Sequence, residues 1–528
     1  MDPMQVTEAA IPAGPDSPVA ILAAAVGEAP EQEALVADGL RLTYAGFGAI
    51  VAGLAAELRA DGAAGHVVLV ALRNGVEMAA ALYAVQAAGA VLCPVNPDYT
   101  PRELAAILAD ATPHTILTKA ETADRLRAAL PPGSGTRLRV LGDDPAANAA
   151  RWLDQGAVLD AGGIDPDAVA ALQYTGGTTG LPKGVELTHR AIATNVAQRE
   201  AVLPTLPGDR VLCVMPLFHV FASSTCLHLA AWCRGTLVIL PRYRPDWVLD
   251  TIAAERITLM PAGPTIFTGL MSFAGFARAD FSSLRACYSG SAPLPVDTLT
   301  RWNTATGCPI YEGFGQTEAG PILTYNSPHY PVRPGSVGRA VPGTRLRIVD
   351  TETGLHDQPP GTPGEVVAQG PQIMRGYRGN PAATAHSLRN GWLFTGDIGV
   401  LDADGYLTIC DRKKDMVITG GFNVYPREVD EVLAAHPLVE EAATIGMPDP
   451  YRGEVLKSFV RPVPGAELDA AALTAWAAER LVKYKVPGAI ELVAELPRTA
   501  VNKIDKKALR ERATAALLAS PAQTGAAP

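Results

Sequence analysis

Lysine is scarce in this chain. Of 44 basic side chains in 528 residues, 10 are lysines and 34 are arginines. Lys119 and Lys183 alone precede position 412, whereas Lys413, Lys414, Lys457, Lys483, Lys485, Lys503, Lys506 and Lys507 crowd into the last 116 residues. An Ala-, Gly- and Arg-rich composition of the kind GC-rich coding produces would explain the scarcity, but the break near 412 invites inspection. Clustered basic tracts are also missing. A chain with a formal charge of −10 and no Lys/Arg tract longer than the three residues 412–414 is not built to bind nucleic acid. From 413 onward acidic and basic residues balance at 15 each, so the negative charge lies upstream. Paired cysteines are absent too. Cys93, Cys213, Cys226, Cys233, Cys287, Cys308 and Cys410 are odd in number, widely spaced and without a CxxC, which excludes a disulfide framework and predicts reduced, buried thiols. The opening MDPMQVTEAAIPAGPDSP lacks a basic n-region, so it does not read as a secretory signal. The most apolar window, His219 to Leu240, is interrupted by His228 and Arg234 and reads as buried core rather than a membrane span. A cytoplasmic protein with no integral membrane span is the expectation.

The length points to several domains, since 528 residues exceed one core at roughly 100–200 residues per domain. Residues 1–17 read as disordered. The string ALVADGLRLTY predicts a hairpin around Asp38-Gly39, followed by a helix capped near Thr43. Apolar runs at 66–72 and 90–96 flank helical spacing at 75–89, which is a βαβ pattern that recurs near 115–145 and 211–260. The fold class is therefore α/β, a large mixed domain over 18–412 with buried, largely parallel strands. Within it, Gly and Pro punctuate short alternating strands over 334–410, a β-rich subdomain. A joint at 413–415 leads to a small α+β domain over 416–513, and 514–528 form a loose Ala-rich tail. No internal repeat is visible.

The densest chemical signal is LQYTGGTTGLPKGVELTH. Its glycines and threonines make a loop whose N–H groups can face phosphate oxygens, and Lys183 adds a point charge. A Walker loop is excluded, because Pro182 precedes this lysine and Gly184 follows it. Taken singly, such a loop is an ordinary turn. The whole string YTGGTTGLPKG resembles the signature of the adenylate-forming superfamily, which spans acyl-CoA synthetases, 4-coumarate:CoA ligase, luciferase and nonribosomal peptide adenylation domains. Gly176 stands where serine is usual, a variant similar to bacterial fatty acyl-CoA ligases.

The resemblance continues in order along the chain, and each further motif implies a role for its residues. Thr175, Gly176, Gly177, Thr178, Thr179, Gly180 and Lys183 would cradle phosphates. MPLFHVFA places His219 as a gate to the acyl pocket, although a lone histidine in an apolar stretch is otherwise a core residue. SGSAPLP sets Gly290, Ser291 and Ala292 against adenine. YEGFGQTEAG contributes Glu312, Gly313, Phe314 and Gly315 on the nucleotide side, with Thr317 on the α-phosphate and Glu318 as the hard oxygen ligand that Mg²⁺ takes. GWLFTGD and DRKKD bring Asp397 to the ribose hydroxyls and Arg412 to ribose or phosphate. Lys414 falls at the family's hinge, and Gly420 and Gly421 open the loop that lines the pantetheine channel. LPRTAVNKIDKKALR aligns Lys503 with the catalytic lysine, with Asn502 where glycine is usual.

The implied activity is two-step. ATP activates a carboxylate to acyl-AMP, and a thiol, that of CoA, then takes the acyl group. ATP, Mg²⁺ and coenzyme A are the implied cofactors, and a medium- or long-chain fatty acid is the implied substrate. An aryl or polycyclic acid, or a carrier protein as acceptor, remain alternatives. The chain is expected to be a monomer or homodimer. A phosphotransferase or ATP-binding regulatory protein is the rival from another class, decided by whether a carboxylate stimulates pyrophosphate exchange.

Overall fold

The computed structural model describes residues 10–175, 182–419, 422–499 and 503–519. Contacts divide the chain into two compact units. One comprises Met1–Arg347, Val367–Thr395 and Asp402–Leu407; the other comprises Ile348–Val366, Gly396–Leu401 and Thr408–Pro528.

The first unit carries two large sheets. A seven-stranded sheet runs in the order Gly376–Tyr377, Lys183–Thr188, Val169–Thr175, Val91–Pro94, Val67–Ala71, Thr115–Lys119, Arg137–Leu141. Val67–Ala71 is buried at every residue, as a parallel strand covered on both faces must be. The next helix, Val76–Ala87, is apolar nearly all round and buried throughout. Its orphan Val76 N–H donates to Asp38 Oδ2 at 2.8 Å. Asp38 and Gly39 both take the left-handed backbone of a tight hairpin turn, with φ of 54° and 76°. Thr43 caps helix Tyr44–Ala60 by accepting the Gly46 N–H, a contact that stabilises a helix start by about 1 kcal/mol.

The nine-stranded sheet has the order Arg339–Ala340, Ile322–Tyr325, Ile310–Gly315, Ala286–Ser289, Leu259–Ala262, Arg210–Cys213, Thr236–Ile239, Glu33–Ala37, Leu40–Thr43. Its core gathers Trp302, Phe267 and Phe281, with the Phe267 and Trp302 rings edge to face at 5.0 Å. Truncating such a buried indole to alanine costs about 3–5 kcal/mol.

Five strands between Arg345 and Arg412 form a further sheet, and the division between the units passes through them. The second unit also contains a five-stranded sheet built on the long antiparallel pair Val439–Asp449 and Gly453–Pro462. Helices Pro426–Ala434 and Ala470–Ala478 bury Val429, Leu433, Leu473 and Ala477 in one core. Leu509 and Ala513 of helix Lys506–Ala519 join Ile445 and Phe459 in a second. The mixed α/β class is as the sequence pattern predicts. Among the described residues no helix is long and apolar enough to cross a membrane.

Candidate active site

Four strands of the nine-stranded sheet, Arg210–Cys213, Leu259–Ala262, Ala286–Ser289 and Ile310–Gly315, run parallel. Their carboxyl ends therefore lie at one end of the sheet, where parallel α/β folds hold ligands. Three motifs leave from that end: the segment with His219, the Gly290–Ala292 loop, and the run from Gly315 to Glu318.

These loops are tied to one another. His219 is half-buried and its Nδ1 accepts the Phe221 N–H at 3.2 Å, so the ring caps the short helical turn Val220–Ala222. Phe221 covers the next loop closely enough that a Cβ on Gly290 would lie 2.7 Å from its ring. Ser291 takes a left-handed backbone with φ 69°, a strained conformation for serine. Glu312 is buried, stands opposite Ser289 in register, and its Oε1 accepts the Leu294 N–H at 2.8 Å. Its carboxylate thus holds the loop that carries Ser291 and Ala292. Gly313 and Gly315 have a packing reason to be glycine. A Cβ on Gly315 would fall 1.8 Å from the Pro321 carbonyl oxygen, and one on Gly313 would fall 2.8 Å from that of Thr324. Phe314 between them is half-buried. Thr317 begins a single 3₁₀ turn, Thr317–Ala319, that projects Glu318.

The phosphate-loop motif begins and ends on two antiparallel strands of the other sheet, with Thr175 opposite Lys183 in register. Gly176, Gly177, Thr178, Thr179 and Gly180 lie outside the described residues. These strands and Glu318 meet through Tyr377. Its hydroxyl donates to Glu318 Oε1 at 2.8 Å, and Lys183 Nζ sits 5.0 Å from its ring centroid.

A second cluster belongs to the other unit. Arg412 Nε lies 3.9 Å from Asp397 Oδ1. Lys503 is half-buried; desolvation, reinforced by the Arg412 charge and opposed by Asp397, lowers its pKa to about 8. Its backbone is tied to Thr499, whose N–H donates to the Lys503 carbonyl at 2.7 Å, while Lys503 N–H donates to Thr499 Oγ1 at 3.2 Å. Lys414 is exposed in the 3₁₀ turn Lys413–Asp415. That turn is anchored on both flanks, by Lys413 to Glu365 at 2.7 Å and by Arg510 to Asp415 at 2.5 Å. Gly420, Gly421 and Asn502 lie outside the described residues.

Comparison with known proteins decides the family. A sequence profile described as "AMP-binding enzyme" matches residues 22–378, and one for the AMP-binding enzyme C-terminal domain matches 428–503. The chain belongs to the AMP-binding enzymes. Among similar proteins, a long-chain-fatty-acid–CoA ligase of Bacillus subtilis (strain 168) is 36% identical over 94% of both chains. A feruloyl-CoA synthase of Amycolatopsis sp. is also 36% identical, over 92% of this chain and 96% of its own. The solved structure of ATP-bound MatB from Rhodopseudomonas palustris is 32% identical, with a TM-score of 0.86 over 94% of this chain and 98% of that one.

Sequence patterns miss Tyr377 and Glu365 in this AMP-binding enzyme, and they include Arg510, the last residue of the Lys503 motif, without giving it a contact. Each contacts a motif residue across a wide sequence gap; Tyr377 and Glu365 are carried there on strands and Arg510 on helix Lys506–Ala519. The dipeptide Gly376-Tyr377 has no periodicity to mark it.

Proposed function

We propose that this AMP-binding enzyme is an ATP-dependent acid–CoA ligase whose acid is a medium- or long-chain fatty acid. The observation that carries the reading is the end-to-end likeness to a fatty-acid–CoA ligase, covering both units. The geometry accords with it, since each unit holds one coherent group of polar residues suited to a nucleotide.

In the first half-reaction a carboxylate oxygen attacks the α-phosphorus of ATP. A P–O bond forms there as the bond to the β-phosphate bridging oxygen breaks, giving acyl-AMP and pyrophosphate. Carboxylate and polyphosphate repel, and a cation reaching both offsets that repulsion. Lys503 is the residue assigned to this, with Lys183 of the phosphate-loop motif and the Thr317 hydroxyl toward the α-phosphate. Asp397 accepts from the ribose hydroxyls, Arg412 pairs with ribose or phosphate, and Phe314 with Gly290, Ser291 and Ala292 faces adenine. His219 gates the acyl side. Among the described residues there is no group of three or more His, Cys, Asp and Glu side chains that could hold a metal ion. A lone carboxylate such as Glu318 suits Mg²⁺, which keeps waters and phosphate oxygens as its other ligands. When bound, Mg²⁺ supplies neutralisation of charge on the phosphates. In the second half-reaction the CoA sulfur forms a bond to the acyl carbon as the bond from that carbon to the AMP phosphate oxygen breaks; AMP leaves and the thiol proton passes to solvent. A change of pose at Lys414 exchanges Lys503 for the Gly420-Gly421 loop between the two steps. Seven cysteines without a disulfide, six of them buried, suit a cytoplasmic setting.

Acid-dependent ATP–pyrophosphate exchange across a panel of aliphatic and aryl acids tests this. Exchange with aliphatic acids, and thioester formed on adding CoA, is the expected result. The similarity to a feruloyl-CoA synthase favours an aryl acid as the second reading, and a panel answered only by aryl acids would establish it. Acyl-AMP accumulating with no thioester points instead to a carrier-protein thiol. Cleavage of ATP to ADP would overturn the ligase reading. Lys503→Ala should depress adenylation strongly yet leave thioester formation from supplied acyl-AMP nearly intact; equal loss in both removes the assigned role.

A further inference from the structure

Residues 372–378 form a strap between the two nucleotide-facing elements of the first unit. On one side, Met374 N–H donates to the Glu318 carbonyl at 2.9 Å, and the Tyr377 hydroxyl donates to the Glu318 carboxylate at 2.8 Å. On the other, Gly376 and Tyr377 pair in register with Glu186 and Val185, the strand that begins at Lys183. Arg375 and Arg378 N–H groups extend that pairing, donating to the carbonyls of Glu186 at 2.9 Å and Gly184 at 2.8 Å. The strap is itself fixed, because Tyr377 N–H donates to Thr384 Oγ1 at 2.9 Å on the next helix.

Tyr377 is thus bound at three points: its backbone, its hydroxyl, and its ring under the Lys183 ammonium. The position has two physical effects. A carboxylate rotates freely about its last torsion, since that torsion joins sp³ and sp² atoms and has no sharp wells. A phenol donor on Oε1 restricts that torsion and leaves the other oxygen for a further partner. The ring also occupies space next to Lys183, and among the described residues Lys183 makes no ion pair. Lysine and carboxylate that must both face a triphosphate would be spent if they paired with each other.

We propose that Tyr377 is a positioning residue that orients Glu318 for the divalent cation while holding Lys183 for the phosphates. The inference rests on the reading of Glu318 as the cation's ligand. Groups that hydrogen-bond a metal-ligating side chain contribute about 10–100-fold to metal affinity.

The test is Mn²⁺ binding in the presence of ATP, followed by the electron paramagnetic resonance of free Mn²⁺, on the full-length protein. Tyr377→Phe keeps the ring under Lys183 and removes the donor. Mn²⁺ binding weakened about 10–100-fold, with ATP affinity in EDTA and the thermal unfolding temperature unchanged, is the expected result. Equal weakening of metal-free ATP binding would mean a merely structural role and would overturn the proposal. So would unchanged Mn²⁺ affinity in Tyr377→Phe when Glu318→Gln weakens it. If Glu318→Gln also leaves Mn²⁺ binding unchanged, the assignment of Glu318 fails first and the role of Tyr377 fails with it.

Discussion

Raising the pH from 7 to 9 should cut the efficiency of adenylation about tenfold, because Lys503 loses its proton across that range. Three influences set the midpoint. Desolvation disfavours the ammonium, Arg412 repels it, Asp397 attracts it, and the balance leaves a pKa of about 8 against an ordinary 10.5. The protonated fraction is then about 0.9 at pH 7 and about 0.1 at pH 9. The quantity to measure is kcat/KM for ATP in acid-dependent pyrophosphate exchange, since it reports ionisations of the free enzyme. Lys503→Arg has a charge that persists above pH 12, so its profile should lose the decline even if its rate is lower. Asp397→Asn removes an attraction and should move the wild-type midpoint down; Arg412→Gln removes a repulsion and should move it up. A wild-type profile flat to pH 9.5, or the same decline in Lys503→Arg, would rule out Lys503 as the titrating group. The shift also fixes a stability sign. Between about 8 and 10.5 the folded chain binds fewer protons than the unfolded chain, so the cost of the half-buried ammonium is full below pH 8 and fades as pH rises. Lys503→Met should accordingly unfold at a higher temperature than wild type at pH 7.

Gly315→Ala places a Cβ 1.8 Å from the Pro321 carbonyl oxygen, so backbone must move. The unfolding temperature should fall by the equivalent of about 1–3 kcal/mol, with exchange activity falling as Thr317 and Glu318 shift; an unchanged melting curve would contradict the packing. His228, 4% exposed and beside Tyr83, has its pKa lowered by burial from 6.5 to about 3. Its contribution is complete above pH 6.5 and drains as pH falls toward 3, by up to about 1.4 kcal/mol per unit. His228→Gln should flatten the acid branch of unfolding temperature against pH, and an unaltered branch would place the titration elsewhere. Six of the seven cysteines are buried and Cys410 is half-buried with its thiol pushed up to about 11. A thiol reagent should count at most one slow thiol in the native protein and seven in guanidinium; fast reaction of several would show the core to be open.

Legibility in the sequence depends on the distance over which a contact is set. The hairpin at Asp38-Gly39, the Thr43 cap and the βαβ runs are local, so residue types alone mark them. The string from Thr175 to Lys183 makes the family legible because it is contiguous in the chain. Tyr377 lies 59 residues from Glu318, and the register of a two-residue strand brings them together. Glu312 shows a different limit. The motif gives it a nucleotide-side place, while its buried carboxylate holds a backbone N–H of the neighbouring loop, a contact visible only once two parallel strands are aligned.

The scarce lysines sort by the same logic. Lys119 pairs with Glu77, Lys413 with Glu365, Lys457 with Glu491, Lys485 with Glu428, Lys506 with Asp430 and Lys507 with Glu511. Among the described residues Lys183, Lys414, Lys483 and Lys503 make no ion pair. A lysine already neutralised by a protein carboxylate has little charge left to offer a substrate, because a new anion must first compete with the old partner. An ammonium kept away from carboxylates costs the fold desolvation and returns that cost only when phosphate arrives. Lys503 carries such a cost, since burial and the Arg412 charge outweigh the attraction of Asp397, while Lys183 lies over the ring of Tyr377. Composition shows how few lysines there are; pairing narrows the candidates for an anionic ligand to four, of which the proposed mechanism uses Lys183 and Lys503 on phosphate.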